Sequence, residues 1–129
     1  MIVADTSIWI ECFRDPSSVW GEELRQLVLE SRVACNGIIL CEVLQGARSN
    51  SEFQKLNEAM KVLEFREVNR EVWDVAANVA FHCHLKNQKI PLSDSVIAAL
   101  CLYHKDELVS LDKHFQIIAK NFPLKLRVR

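Results

Sequence analysis

Three glycines and three prolines in 129 residues leave the chain little of what loop-rich and all-β domains are built from. No glycine cluster that could cradle a phosphate is present, so nucleotide chemistry of the P-loop or dinucleotide kind is not expected. The five cysteines (Cys12, Cys35, Cys41, Cys83 and Cys101) are odd in number and form no CxxC pair. They read as small apolar residues of a reducing compartment, neither a disulfide set nor a zinc site. Long apolar runs are also missing. The longest, Val96 to Tyr103, has eight residues, against about 20 for a bilayer span. Asp5 interrupts the start before a secretory pattern can form. The expectation is a soluble, cytoplasmic protein that does not enter membranes. A third of the positions are Leu, Ile, Val or Phe and the net charge is −1. That excludes intrinsic disorder and fits a single domain over residues 1–129 with a sizeable core.

Short apolar runs alternate with helical periodicity along the chain. Ile2–Ala4 reads as a buried strand, Ser7–Phe13 as a helix, and Asp15-Pro16-Ser17-Ser18 as its breaker. Trp20, Leu24, Leu27 and Val28 recur at helical spacing between Ser18 and Ser31. Val33–Cys35 follows as a strand and Ile38–Ala47 as a helix. Ser51 and Gln54 resemble a capping box opening a helix with Phe53, Leu56, Met60 and Leu63 on one face. Phe65–Val68 reads as a strand. Asn69 caps a long helix striped by Val72, Val75, Ala76, Val79 and Cys83. A very apolar helix starts at Ser93 and runs to Tyr103; Leu108–Leu111 is a strand, Lys113–Asn121 a helix and Leu124–Val128 a last strand. Such alternation predicts an α/β domain with a parallel sheet covered on both faces, and functional groups at the carboxyl ends of its strands.

Four carboxylates stand in unusually apolar company. Asp5 ends the first strand, and Glu42 is the only charge between Arg32 and Arg48. Asp94 is the only charge between Lys89 and Lys105, and Asp112 directly follows the Leu108–Leu111 strand. Taken singly, each has a plain role: Asp94 and Asp112 as helix-start groups, Glu42 as a solvated side chain, Asp5 as a loop brace. Taken together they are harder to place. Two unit charges ~5 Å apart at an effective dielectric of ~20 cost about 3 kcal/mol, and no Lys or Arg lies within these segments. A cation offsets that repulsion, and an all-oxygen ligand set selects Mg²⁺ or Mn²⁺ over zinc.

In four places the chain resembles the PIN-domain ribonucleases, and among them the VapC-like toxins of prokaryotic toxin–antitoxin pairs. The fragments are Ile2-Val3-Ala4-Asp5-Thr6-Ser7, Cys41-Glu42-Val43-Leu44-Gln45-Gly46, Asp94-Ser95-Val96-Ile97-Ala98-Ala99, and Leu108-Val109-Ser110-Leu111-Asp112-Lys113-His114-Phe115. The resemblance implies a PIN-like three-layer fold, with a short central parallel sheet flanked by helices on both faces. It implies that Asp5, Glu42 and Asp94 form the core of a Mg²⁺ or Mn²⁺ site, that Asp112 completes the acidic cluster, and that Thr6 and Ser110 supply supporting hydroxyls. Ser110 stands where threonine is usual, and His114 where many relatives carry a second acid. Asn87-Gln88-Lys89 replaces a glycine common before the third acid. The implied activity is hydrolysis of RNA phosphodiester bonds, with a cognate antitoxin as partner and dimerisation typical of the family.

Setting the four acids aside leaves thirteen acids against sixteen bases, a balance that suits RNA. Lys120, Lys125, Arg127 and Arg129 crowd the last ten residues and are candidates for phosphate contact; a solvated end is the equal alternative. Single-stranded RNA is the expected form, since a duplex hides its base faces. The apolar residues of the Trp20 and Phe53 helices are the expected antitoxin contact. His82-Cys83-His84 is not expected to bind zinc, because residues two apart on a helix do not face each other. Trp9 and Trp73 read as core or interface. Two rival readings remain: a catalytically inactive PIN-fold module that binds RNA or protein, and a Mg²⁺-dependent phosphodiesterase acting on DNA.

Overall fold

Strand β1 (Ile2–Ala4) is apolar throughout and each of its residues is buried, as a strand covered on both faces must be. The computed structural model describes residues 1–128. From β1 the chain passes through α1 (Thr6–Arg14) and α2 (Val19–Leu29) to β2 (Val33–Asn36), then through α3 (Gly37–Gln45) and α4 (Asn50–Lys61) to β3 (Glu64–Arg66). Helices α5 (Arg70–Leu85) and α6 (Leu92–His104) lead to β4 (Glu107–Ser110), and α7 (Lys113–Asn121) to β5 (Lys125–Val128). The five strands are parallel in the order β3-β2-β1-β4-β5. The α5–α6 crossover carries the chain from one side of β1 to the other, so the direction of strand succession reverses between β1 and β4.

Burial grades outward from that centre. β2 is buried along its whole length, whereas the edge strands β3 and β5 carry Glu64, Arg66, Lys125 and Arg127. Charge on an edge discourages pairing with another chain. The main core joins Ile8 and Trp9 of α1, Leu24 of α2, Ile39 of α3, Ile97 of α6 and Phe115 of α7 to the central strands. A second cluster of Val72, Ala76, Val96, Ala99 and Leu100 closes α5 against α6. Small residues at that seam let the two helices approach. Among the described residues, no helix is long and apolar enough to cross a membrane.

Local capping explains most helix starts. Side chains of Asp5, Ser18, Asn36, Asn69 and Asp112 each accept a backbone N–H at the head of a helix. In place of the capping box expected at Ser51 and Gln54, the cap of α4 lies two residues earlier: Ser49 Oγ accepts from the Glu52 N–H at 3.1 Å. Both serines fit the spacing pattern, with Glu52 and Gln54 each three residues on. β3 is also shorter than Phe65–Val68 suggests and is shifted toward Glu64.

One buried acid escaped the sequence reading. Asp106 is 1% exposed and receives two bonds from the Arg66 guanidinium, Nε to Oδ2 and Nη2 to Oδ1, both 3.0 Å. The amino group of Met1 lies 3.2 Å from Oδ1. Scarcity of glycine leaves its own mark: the left-handed positions are Ser31, Asn87 and Lys105.

Two outcomes follow for stability, both read by urea unfolding in chelator. Asp106→Ala strands a half-buried guanidinium and should cost about 3 kcal/mol, with Arg66→Met on the same background recovering part of the loss. Lys105→Gly, at the C-cap of α6 with φ 58°, should stabilise by about 0.5–1 kcal/mol. A loss there would mean that the lysine side chain contributes more than its strained backbone costs.

Candidate functional site

The reversal point between β1 and β4 is where an open parallel sheet leaves a crevice at its carboxyl edge. Ala4 pairs with Val109 in register, and the Asp5 N–H donates to the Val109 carbonyl at 2.9 Å. Asp5 and Ser110 therefore emerge side by side. Ser110 Oγ donates to Asp5 Oδ2 at 2.8 Å and accepts from the Asp112 N–H at 3.0 Å. The other Asp5 oxygen accepts the Thr6 N–H at 2.8 Å, which caps α1. Thr6 Oγ1 donates in turn to Glu42 Oε1 at 3.0 Å. The Ser110 hydroxyl thus links the Asp5 carboxylate to the Asp112 backbone, and Thr6 links Asp5 to Glu42 through its N–H and its hydroxyl.

Asp94 arrives from a different direction, in the first turn of α6. That helix has no side-chain cap, and Pro91 occupies its cap position. Asp94 Oδ2 lies 2.9 Å from His114 Nδ1, and Asp112 Oδ1 lies 3.2 Å from the same nitrogen. Asp112 Oδ1 also accepts the His114 N–H at 2.9 Å, capping α7. Ligand atoms of Asp94, Asp112 and His114 all lie within 4.8 Å of one another.

The four acids singled out in the sequence therefore share one hydrogen-bonded network, but not one tight shell. Its compact part holds Asp94 and Asp112 with His114, a residue the sequence reading left without a role. Asp5 stands beside that part through Ser110. Glu42 is exposed and forms the rim. The sign that could have pointed to His114 is its place two residues after Asp112 at the head of α7, where a backbone cap and a ring nitrogen reach the same carboxylate.

Electrostatics sets this group apart. The Asp5 carboxyl is pushed above its ordinary range, chiefly by burial; bonds from Ser110 and Thr6 oppose the shift, and the Asp112 charge adds to it. Burial likewise raises Asp94, with His114 opposing and the charges of Asp112 and Asp5 adding. Among the described residues, no Lys or Arg forms an ion pair with any of the four acids. Hard oxygen donors, mutually repelling and without a fixed counter-charge, are what a divalent cation requires. The donor set fits one.

Other candidates fare differently. Arg127 bonds Glu23 and Glu107 and lies 5.8 Å over the Trp20 ring, so it ties β5 to α2 and β4 and is not free for phosphate. Lys120 and Lys125 are exposed, and Arg129 lies outside the described residues. Among the described residues, His82 and His84 join no group of three metal-ligating side chains. Trp9 is core, whereas Trp73 is 51% exposed. Trp20 is buried and unavailable to a partner. The groove beside it, about 500 Å³, is lined by Trp9, Cys12, Phe13, Leu24, Val28 and Ala59.

Similarity to known proteins extends over nearly the whole chain. The model of the family described as PIN domain matches residues 2–121. A VapC ribonuclease of Mycobacterium bovis and ribonuclease VapC11 of Mycobacterium tuberculosis are each 30% identical over 124 residues, covering 93% of this chain and 92% of theirs. Among solved structures, VapBC2 from Rickettsia felis bound to a promoter DNA fragment superposes with a TM-score of 0.81 at 18% identity, covering 100% of this chain and 99% of that one. VapBC-1 from nontypeable Haemophilus influenzae gives 0.81 at 19%, covering 99% and 98%. At those identities the structures attest the fold, and the family match attests descent. The chain belongs to the PIN domain family.

Proposed function

We propose that this protein is a Mg²⁺- or Mn²⁺-dependent endoribonuclease of the cytoplasm and the toxin of a toxin–antitoxin pair. The observation that carries the reading is the network of Asp5, Glu42, Asp94 and Asp112 at the crevice of the sheet, without a lysine or arginine to neutralise it. Relatives at 30% identity are named ribonucleases, which supports RNA over DNA as substrate.

Asp5, Asp94 and Asp112 are the residues that would hold the cation, with Glu42 at the open side. When bound there, a divalent ion would supply counter-charge for a phosphate and a lowered pKa for a water. The protein's own task is placement. Ser110 fixes Asp5 relative to Asp112, and Thr6 fixes it relative to Glu42. Burial of Asp5 and Asp94 keeps bulk water from screening their charges, so a cation in the crevice would be held strongly and could offset their repulsion of a phosphate. Glu42, being exposed, leaves one side open for an RNA strand.

For the partner, the groove between α1, α2 and α4 offers an apolar surface to an antitoxin segment. The neighbouring hollow adds Arg14, Arg48 and Lys55 near Leu56 of α4. Solved relatives described as VapBC and as a toxin–antitoxin complex support a partner of this kind.

End-group analysis of cut RNA tests the reading. The products should carry 5′-phosphate and 3′-hydroxyl ends, and a single 2′-deoxy nucleotide at the cleaved linkage should slow cutting only modestly. Dominant cyclic phosphate would sink it, since that product requires the 2′-hydroxyl as nucleophile. Asp5→Asn and Asp94→Asn should each lower kcat by about 10³-fold or more, and equal activity on a DNA strand would favour the rival phosphodiesterase. A protein that binds RNA but never cuts it, with any divalent ion, would be the inactive module.

Stability in chelator supplies a further check. A carboxyl whose folded pKa is raised binds its proton more tightly when folded, so its contribution is present at low pH and is lost as pH rises from about 3.8 through the folded value. Metal-free wild type should thus lose stability over that window, and Asp5→Asn should flatten the loss. At pH 7 in chelator the variant should melt no lower than the parent, because Asn keeps the Thr6 bond and removes a repelling charge. A markedly lower Tm would make Asp5 a structural cap.

A further inference from the structure

Resting on the metal reading above, we propose that His114 is itself a ligand, and that its ring nitrogen biases the site toward Mn²⁺ and later transition ions over Mg²⁺. Three observations lead there. The Nδ1 atom faces two carboxylates brought in by separate elements, 2.9 Å from Asp94 of α6 and 3.2 Å from Asp112 at the head of α7. Donor atoms of all three side chains lie within 4.8 Å of one another, the only such group among the described residues. The imidazole is also held from behind. The backbone N–H of His114 caps onto Asp112, which anchors the first turn of α7 and with it the base of the side chain.

The chemistry of the donor set turns this placement into selectivity. Mg²⁺ dehydrates reluctantly and takes oxygen ligands in near-ideal octahedra. Imidazole suits transition ions far better, whereas carboxylate suits Mg²⁺ and Mn²⁺ alike. Exchanging a carboxylate for an imidazole at one point of an acidic cluster lowers its negative charge by one and adds a softer donor. The lost charge weakens the hold on either ion, and the imidazole donor offsets that loss for Mn²⁺ more than for Mg²⁺. A plainer role for His114 is that of a hydrogen-bonding clamp between Asp94 and Asp112, displaced when an ion enters. The two roles differ in where the nitrogen is once metal is bound.

Pulsed electron paramagnetic resonance of the full chain loaded with Mn²⁺ reads that directly. Spin-echo modulation from a coordinated ¹⁴N should be present in wild type and absent in His114→Gln, in which His82, His84 and His104 remain. Calorimetric titration with Mn²⁺ and Mg²⁺ should show the Mn²⁺ preference falling by about tenfold or more in His114→Asp, with Mg²⁺ affinity rising. His114→Asp retains an N–H at the cap, so folding does not depend on one variant alone, and circular dichroism checks both. Mn²⁺ bound without nitrogen modulation, or modulation that persists in His114→Gln, overturns the ligand role and leaves the ribonuclease reading standing. Failure of wild type to bind either ion overturns both.

Discussion

Like charges held close against their own repulsion govern this structure. Asp5 and Asp94 are buried acids; burial raises the proton affinity of both, the Asp112 charge adds to each, and the Asp5 charge adds to that of Asp94. A folded chain keeps such groups together only if the elements carrying them cannot move apart. Here those elements run through the core. Asp5 follows the fully buried β1, and Asp94 opens α6, whose residues 94–101 are all buried. Asp94 also sits in the first turn of its helix, where the dipole favours negative charge. Its side chain is turned to the crevice, and α6 begins without a side-chain cap. The helix gives up a capping bond, typically worth about 1 kcal/mol, at the place where the site gains an acid.

Asp106 shows that the fold could have neutralised its acids and, at the crevice, did not. That carboxylate is as deeply buried as any in the chain, and Arg66 meets it with a bidentate fork. A fixed guanidinium satisfies a buried carboxylate permanently and leaves no room for an exchangeable cation. The crevice acids instead have hydroxyls, backbone N–H groups and one imidazole. These orient oxygen atoms without filling the volume between them. The difference between the two environments separates a structural ion pair from a site able to take up an ion.

Much of this was legible in the sequence, for local reasons. Strand and helix order followed from apolar runs and periodicity, and Asn69 and Asp112 announced helix starts by residue type, whereas Asp5, read as a loop brace, caps α1. The four acids stood out because each was alone in an apolar segment. What stayed hidden depended on distant partners. Arg66 and Asp106 are forty positions apart and neither lies in a distinctive pattern. Arg127 looked free in a basic tail, yet Glu23 and Glu107 meet it from two other elements. Ser49 and Ser51 are equivalent by spacing, so the local pattern did not choose between them. His114 was visible as a departure from its relatives' acid, but its reach to Asp94 depends on how α6 packs on α7.

Ser110 concentrates these constraints in one atom. Its hydroxyl donates to Asp5 and accepts from the Asp112 N–H, so the end of β1 and the start of α7 share a single hinge point. The residue is 1% exposed and closes β4, whose register with β1 is fixed by three successive pairs. A serine in place of threonine keeps this double role, because the hydroxyl alone performs it. The missing methyl removes the stiffness that branching gives χ1, so the rotamer here is held by its two partners. Separating Asp5 from Asp112 would break both bonds to that hydroxyl and disturb the pairing of the two central strands. Asp5 and Asp112 are thus tied to the middle of the sheet through one hydroxyl, whereas Glu42 is held by Thr6 at the exposed rim.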